Sequence, residues 1–174
     1  LGAGGIPGLQ FIHGELPALA VLLIGITANL ALAILGNSQA LASTHVLLGL
    51  AALAVAPPVP LVFFLGAGVA AFGLILVLRN RWNFHHILAL LALLGFSLGW
   101  RYAASASSLN PRIAFLVTLS AVNALGLLIH YRRSYGRRVF EPLPFAAHLL
   151  AWFSLAIELV AYSEGFRWGI VPLG

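Results

Sequence analysis

Residues 81–101 read RWNFHHILALLALLGFSLGWR, an apolar run with Arg and Trp at both ends and a His pair just inside one of them. About 20 residues at 1.5 Å rise each cross a hydrocarbon core roughly 30 Å thick, and Trp82, Trp100 and Tyr102 stand where amphipathic rings settle at the two interfaces. A helix in water has no use for such a pattern. The stretch therefore predicts a membrane span, and His85 and His86 inside it need a reason.

Composition extends that reading to the whole chain. Of 174 residues, 61% are hydrophobic and 7% charged, and the mean hydropathy is +1.03, far from globular usage. Nine Arg against four Glu make the net charge +5. These are a few loop arginines, not a nucleic-acid surface, so no nucleic-acid partner is expected. Cys, Met, Lys and Asp are absent. Without thiols there is no disulfide exchange, no covalent c-type haem and no protein-ligated iron–sulfur cluster. Without Lys there is no retinal Schiff base, and without Asp no aspartyl protease pair. The first ten residues, LGAGGIPGLQ, are too rich in Gly and too poor in basic residues to read as a signal peptide.

Outward from the opening stretch, turn residues and arginines divide the chain into six spans, about 16–35, 40–56, 61–78, 82–102, 113–131 and 143–162. Pro17 suits a first helical turn, Gly36-Asn37-Ser38-Gln39 ends the first span, and Pro57-Pro58-Val59-Pro60 forces a tight hairpin. The expected fold is an all-α, polytopic integral membrane protein, one transmembrane domain over residues 1–174. Arg79, Arg81, Arg132, Arg133, Arg137 and Arg138 fall on one side and Arg101, Arg112 and Arg167 on the other. By the excess of basic residues on the inner side, both termini face out, and the expected location is the cell's inner (plasma) membrane.

On this topology five of the six histidines share one depth, within one or two turns of the inner boundary: His45, His85, His86, His130 and His148. His13, beside Glu15, lies on the other side. Histidine within a span is costly without a partner, and a layer drawn from four helices points to something that imidazole binds. Haem b fits, held by two His from facing helices, with a small residue one turn away making room for the macrocycle. The expected cofactor-binding residues are His45, His86, His130 and His148 with Gly49 and Gly126. His45 and His130 are the favoured iron ligands and His86 with His148 the next pair, while His85, about 100° round the helix from His86, faces elsewhere. A chlorophyll-type pigment, which takes one axial His, is the alternative cofactor. The competing explanation is that histidines near helix ends snorkel or bond backbone carbonyls. A bare metal site lacks support, since there is no HExxH and the one inner-side carboxylate, Glu141, stands among loop arginines.

The second, fourth and sixth spans begin THVLLGLAALA, HHILALLALLG and AHLLAWFSLA, a faint repeat of hairpins that each place a His early in the second helix. Thr27, Asn29, Ser120, Asn123 and Ser154 are candidates for interhelical hydrogen bonds, worth about 1 kcal/mol each. Glu158, roughly 15 residues into its span, is a candidate proton or quinone site beside the plainer reading of a structural acid.

Gly95-Phe96-Ser97-Leu98-Gly99 fits GxSxG, and with Ala147-His148 on the sixth of six spans it resembles the rhomboid serine proteases. Depth argues against that activity, because Ser97 and His148 differ by roughly 15 Å along the membrane normal. Gly95 and Gly99 read better as a small-xxx-small packing face. The histidine layer is similar, in helix count and ligand depth, to membrane-bound b-type cytochromes, with no motif that names a family. The expected function is an integral subunit of a respiratory or photosynthetic electron-transfer assembly, not catalytic by itself. Its partners would be other membrane subunits, lipids and quinone. A cofactor-free structural subunit and a small-molecule transporter are the alternatives; the transporter reading is weakened by few polar residues at midplane.

Overall fold

Three prolines within four residues, Pro57, Pro58 and Pro60, leave the backbone between two apolar segments unable to stay helical. The chain reverses there through Val59, whose N–H donates to the Pro57 carbonyl at 2.7 Å, and Pro60 opens the next helix, where a missing N–H costs nothing. This computed structural model describes residues 15–80, 82–104, 112–135 and 142–162. These form six helices and, among the described residues, no strand: α1 (Glu15–Leu35), α2 (Gln39–Ala54), α3 (Pro60–Asn80), α4 (Asn83–Ala104), α5 (Arg112–Ser134) and α6 (Pro142–Tyr162). Between α1 and α2, Asn37 takes the left-handed conformation at φ 41°, which Asn tolerates better than most residues. Ser38 then caps α2 with its carbonyl, accepting from Ala42 N–H at 2.9 Å.

Three helices contain stretches long and apolar enough to cross a membrane, Pro60–Leu78, Asn83–Ala103 and Ala114–Ser134; shorter apolar stretches are Ala20–Leu35, Gln39–Ala54 and Phe145–Ile157. Large apolar side chains such as Ile24, Val117, Leu128 and Phe153 point outward, a surface that suits lipid.

Helices α3, α4, α6 and α5 form a ring in which each packs on the next, so that α4 and α5 stand on a diagonal and touch each other little. Helix α2 packs against α3 and α4, and α1 against α2. Because lipid tails are as apolar as leucine, close packing and small residues hold such helices together. On α6 the fully buried face is Ala147, Ala151 and Ser154, a stripe of small side chains at helical spacing. Between α3 and α4 the close approach is at Gly66, where a β-carbon would overlap the Phe96 ring. The expected packing face at Gly95 and Gly99 is not formed within the chain: both are exposed, and a β-carbon at either would meet nothing within 4 Å. Phe96, between them in sequence, turns inward against Gly66 instead.

The two ends of the ring differ. At one end Phe63 packs on Phe115 and Trp100, with ring centroids 4.4 and 5.1 Å apart, and Trp100 meets Phe115 edge-on at 4.7 Å. Leu74, Leu90, Leu93, Leu119 and Ile129 are buried along the bundle. The other end carries the histidines.

Candidate functional site: the histidine end of the bundle

His85 joins three helices. Its Nδ1 lies 2.9 Å from Ser43 Oγ on α2 and its Nε2 3.1 Å from the Gly73 carbonyl on α3. A carbonyl can only accept, so Nε2 carries the hydrogen, and Nδ1 is left to accept from the Ser43 hydroxyl. Gly73 permits this contact, since a β-carbon there would sit 3.0 Å from Val46 and 3.5 Å from His85 Nε2. Trp82 stands edge-on to the ring at 5.9 Å. Both nitrogens of His85 are thus spent on holding α2, α3 and α4 together.

His86 is 1% exposed; its ring nitrogens make no close, well-aligned hydrogen bond, and the Gly126 backbone of α5 lies near enough to act on the ring as a hydrogen-bond partner. Burying a polar group without a partner costs about 1–3 kcal/mol. The ring lies toward α5: a β-carbon on Gly126 would be 3.6 Å from His86 Nε2, 3.2 Å from Leu90 and 3.8 Å from Leu74. His130 and Arg133, also on α5, act on His86 electrostatically. Arg133 is fixed by an Nη2–H that donates to Asn83 Oδ1 of α4 at 2.7 Å. His130 in turn lies against His148 of α6, ring centroids 5.1 Å apart and planes 42° apart, and His148 stacks on Phe145 at 6.4 Å. His148 Nδ1 is buried without a hydrogen-bond partner.

These contacts bring the start of α2, the end of α3, the start of α4, the end of α5 and the start of α6 to one end of the molecule. Of the expected ligands, His86, His130, His148 and Gly126 come together where α4, α5 and α6 meet. His45 and Gly49 are elsewhere. They lie on α2, which packs chiefly on α1, α3 and α4, and a β-carbon on Gly49 would face Val69 and Ile26 at 3.4 and 3.9 Å. His45 Nδ1 is also buried without a partner, but His130 has His148 for a neighbour where pairing by depth alone sets His45 beside it. Gly126 gives its room to His86, not to a slot beside His130.

Among the described residues no group of three or more His or Glu side chains could hold a metal ion. Ser97 is fully buried and its hydroxyl donates to the Leu94 carbonyl at 3.0 Å, while His148 lies against His130 and Phe145, so the GxSxG serine is engaged by its own helix. Asn123 Nδ2 donates to the Leu119 carbonyl at 3.1 Å, and Ser154 Oγ is buried without a partner. His13 and Glu141 lie outside the described residues, as does the side chain of Glu158.

Two members of the site, Asn83 and Arg133, had no signal as isolated residues. Spacing carries one: Asn83 precedes His86 by three residues and Arg133 follows His130 by three, and i, i+3 positions share a helix face. No protein-family model, no curated protein and no solved structure matches this chain.

Proposed function

We propose that the chain is a multi-pass subunit of a membrane electron-transfer assembly, crossing the inner membrane six times with both termini outside, and that its histidine end binds haem b. The observation that carries this reading is the contrast at His85-His86: the first ring is fully spent on structure, while the second is buried without a close hydrogen bond, near the Gly126 backbone and His130, which in turn packs on His148. Four-helix bundles build cofactor sites from side chains on facing helices, and α4 and α5, which carry His86 and His130, stand on the diagonal of such a bundle.

The donor set fits a b-type haem, which needs imidazole nitrogen and no thiol. His86 and His130 would hold the iron. Leu74 and Leu90 fill the space beside Gly126, so a macrocycle enters only if those side chains move. The ring contact between His130 and His148, with centroids 5.1 Å apart, favours a second reading, a chlorophyll-type pigment, which His148 would hold. When bound, the haem supplies one-electron chemistry. The chain's own histidines would orient it.

An absorption spectrum of the full chain, purified in detergent from haem-replete cells, tests this reading. A Soret band that disappears in His86→Ala and in His130→Ala, and survives in His45→Ala, is the expected result. Its absence from the unaltered chain overturns the reading.

A further inference from the structure

Arg132 and Arg133 are neighbours in the last turn of α5, and they turn to different sides. Arg133 reaches across to α4, where its Nη2–H donates to Asn83 Oδ1 at 2.7 Å. Arg132 is exposed. Beside it stand Tyr131 and Tyr135, 65% and 79% exposed, with ring centroids 6.1 Å apart. At about 100° per residue, Leu128, Tyr131, Arg132 and Tyr135 fall within one arc of about 100° on the outward face of α5. Leu128 is itself 61% exposed, and the exposed Ala121 and Ala124 continue the arc into the span. Ala114–Ser134 is long and apolar enough to cross a membrane, so Arg132 stands two residues from the end of that stretch, at the level of lipid headgroups.

We infer that this face of α5 binds an anionic phospholipid, with its phosphate on Arg132, its glycerol esters beside Tyr131 and Tyr135, and one acyl chain along Leu128, Ala124 and Ala121. Charge complementarity carries the assignment. A guanidinium presents a rigid fork of N–H donors that matches two phosphate oxygens, and an arginine near the membrane surface favours anionic over neutral headgroups. Tyrosine rings settle at the interface, where each phenol has a polar partner. The short side chains of Ala121 and Ala124 leave a shallow track for an acyl chain. Basic residues in a last turn also answer the negative end of the helix dipole, but that role makes no distinction between lipids. The inference is independent of what the histidines bind.

Native mass spectrometry of the full chain, released from micelles that hold equal amounts of dioleoyl phosphatidylglycerol and dioleoyl phosphatidylcholine, tests the assignment. The acyl chains are the same, so the ratio of the two bound lipids reads the headgroup alone. The expected result is a preference of about fivefold for phosphatidylglycerol as the first lipid retained, falling to within about twofold in Arg132→Gln. In Arg101→Gln, which removes the same charge from the last turn of α4 at the other end of the bundle, the preference should persist. Equal retention of the two lipids by the unaltered chain overturns the site. So does a ratio unchanged in Arg132→Gln, and so does an equal fall in Arg101→Gln, which would show net charge at work and not a place on α5. Displacement of phosphatidylglycerol by a soluble polyglutamate peptide would give the face to an acidic protein and overturn the lipid assignment. The comparison of lipids on the unaltered chain needs no variant, so it decides the matter even if Arg132→Gln does not fold.

Discussion

His85 and His86 are consecutive on α4 and almost equally buried, at 0% and 1% exposure, yet they belong to different parts of the molecule. About 100° of helix separates them. His85 turns to α2 and α3, where a hydroxyl and a carbonyl close a complete hydrogen-bonded circuit. His86 turns to α5, where it faces His130, Arg133 and the Gly126 backbone and makes no close hydrogen bond. The difference teaches that burial alone does not distinguish a structural histidine from a ligand. What distinguishes them is whether both ring nitrogens are already used.

Substitutions separate the two roles. The largest effect is expected for His85→Ala, which removes the ring and leaves Ser43 and Gly73 without their partner; a loss of about 2–3 kcal/mol should appear in reversible unfolding in mixed micelles. Ser43→Ala takes away one donor to the same ring and should cost less, about 0.6–1 kcal/mol, the usual worth of a hydrogen bond between helices in a membrane. For His86→Leu the sign reverses. Replacing an unpaired buried polar group with an apolar one of similar size should leave stability unchanged or raise it by up to about 1 kcal/mol, while ligand binding is lost. Smallest of all, Gly95→Ala and Gly99→Ala should shift the unfolding midpoint of the isolated chain by no more than about 0.5 kcal/mol, since their β-carbons would meet nothing within 4 Å. A large loss in His86→Leu would erase the distinction between the two histidines, and a negligible one in His85→Ala would do the same from the other side.

The helical order of the fold was legible in the sequence because each cause is local. Pro57, Pro58 and Pro60 break the chain wherever they stand, and each of the six helices starts within one residue of the apolar segment that announces it. The common end shared by His85, His86, His130 and His148 was legible too, since alternating helices joined by short connections bring matching ends together. Lateral order was not. Depth along a helix follows from residue count, but which helix stands beside which depends on contacts such as Ser43 with His85, and a lone serine in a Leu/Ala-rich segment gives no sign of its partner. For that reason His45 and Gly49 were expected beside His130, and α2 instead lies on the α3 and α4 side. Gly95 and Gly99 misled for a related reason. In a helix apolar all round, polarity cannot separate the face toward lipid from the face toward protein, so a small-xxx-small spacing fits either.

The central claim is that His86 binds a ligand and His85 holds the fold. It is tested most directly by recording, on the purified full chain, the visible spectrum and the unfolding midpoint of His86→Leu beside those of His85→Gln. His86→Leu is expected to keep the midpoint and lose the Soret band, whereas His85→Gln lowers the midpoint and keeps the band while folded. A His86→Leu chain with an unchanged Soret band, or an unaltered chain with none, would contradict it.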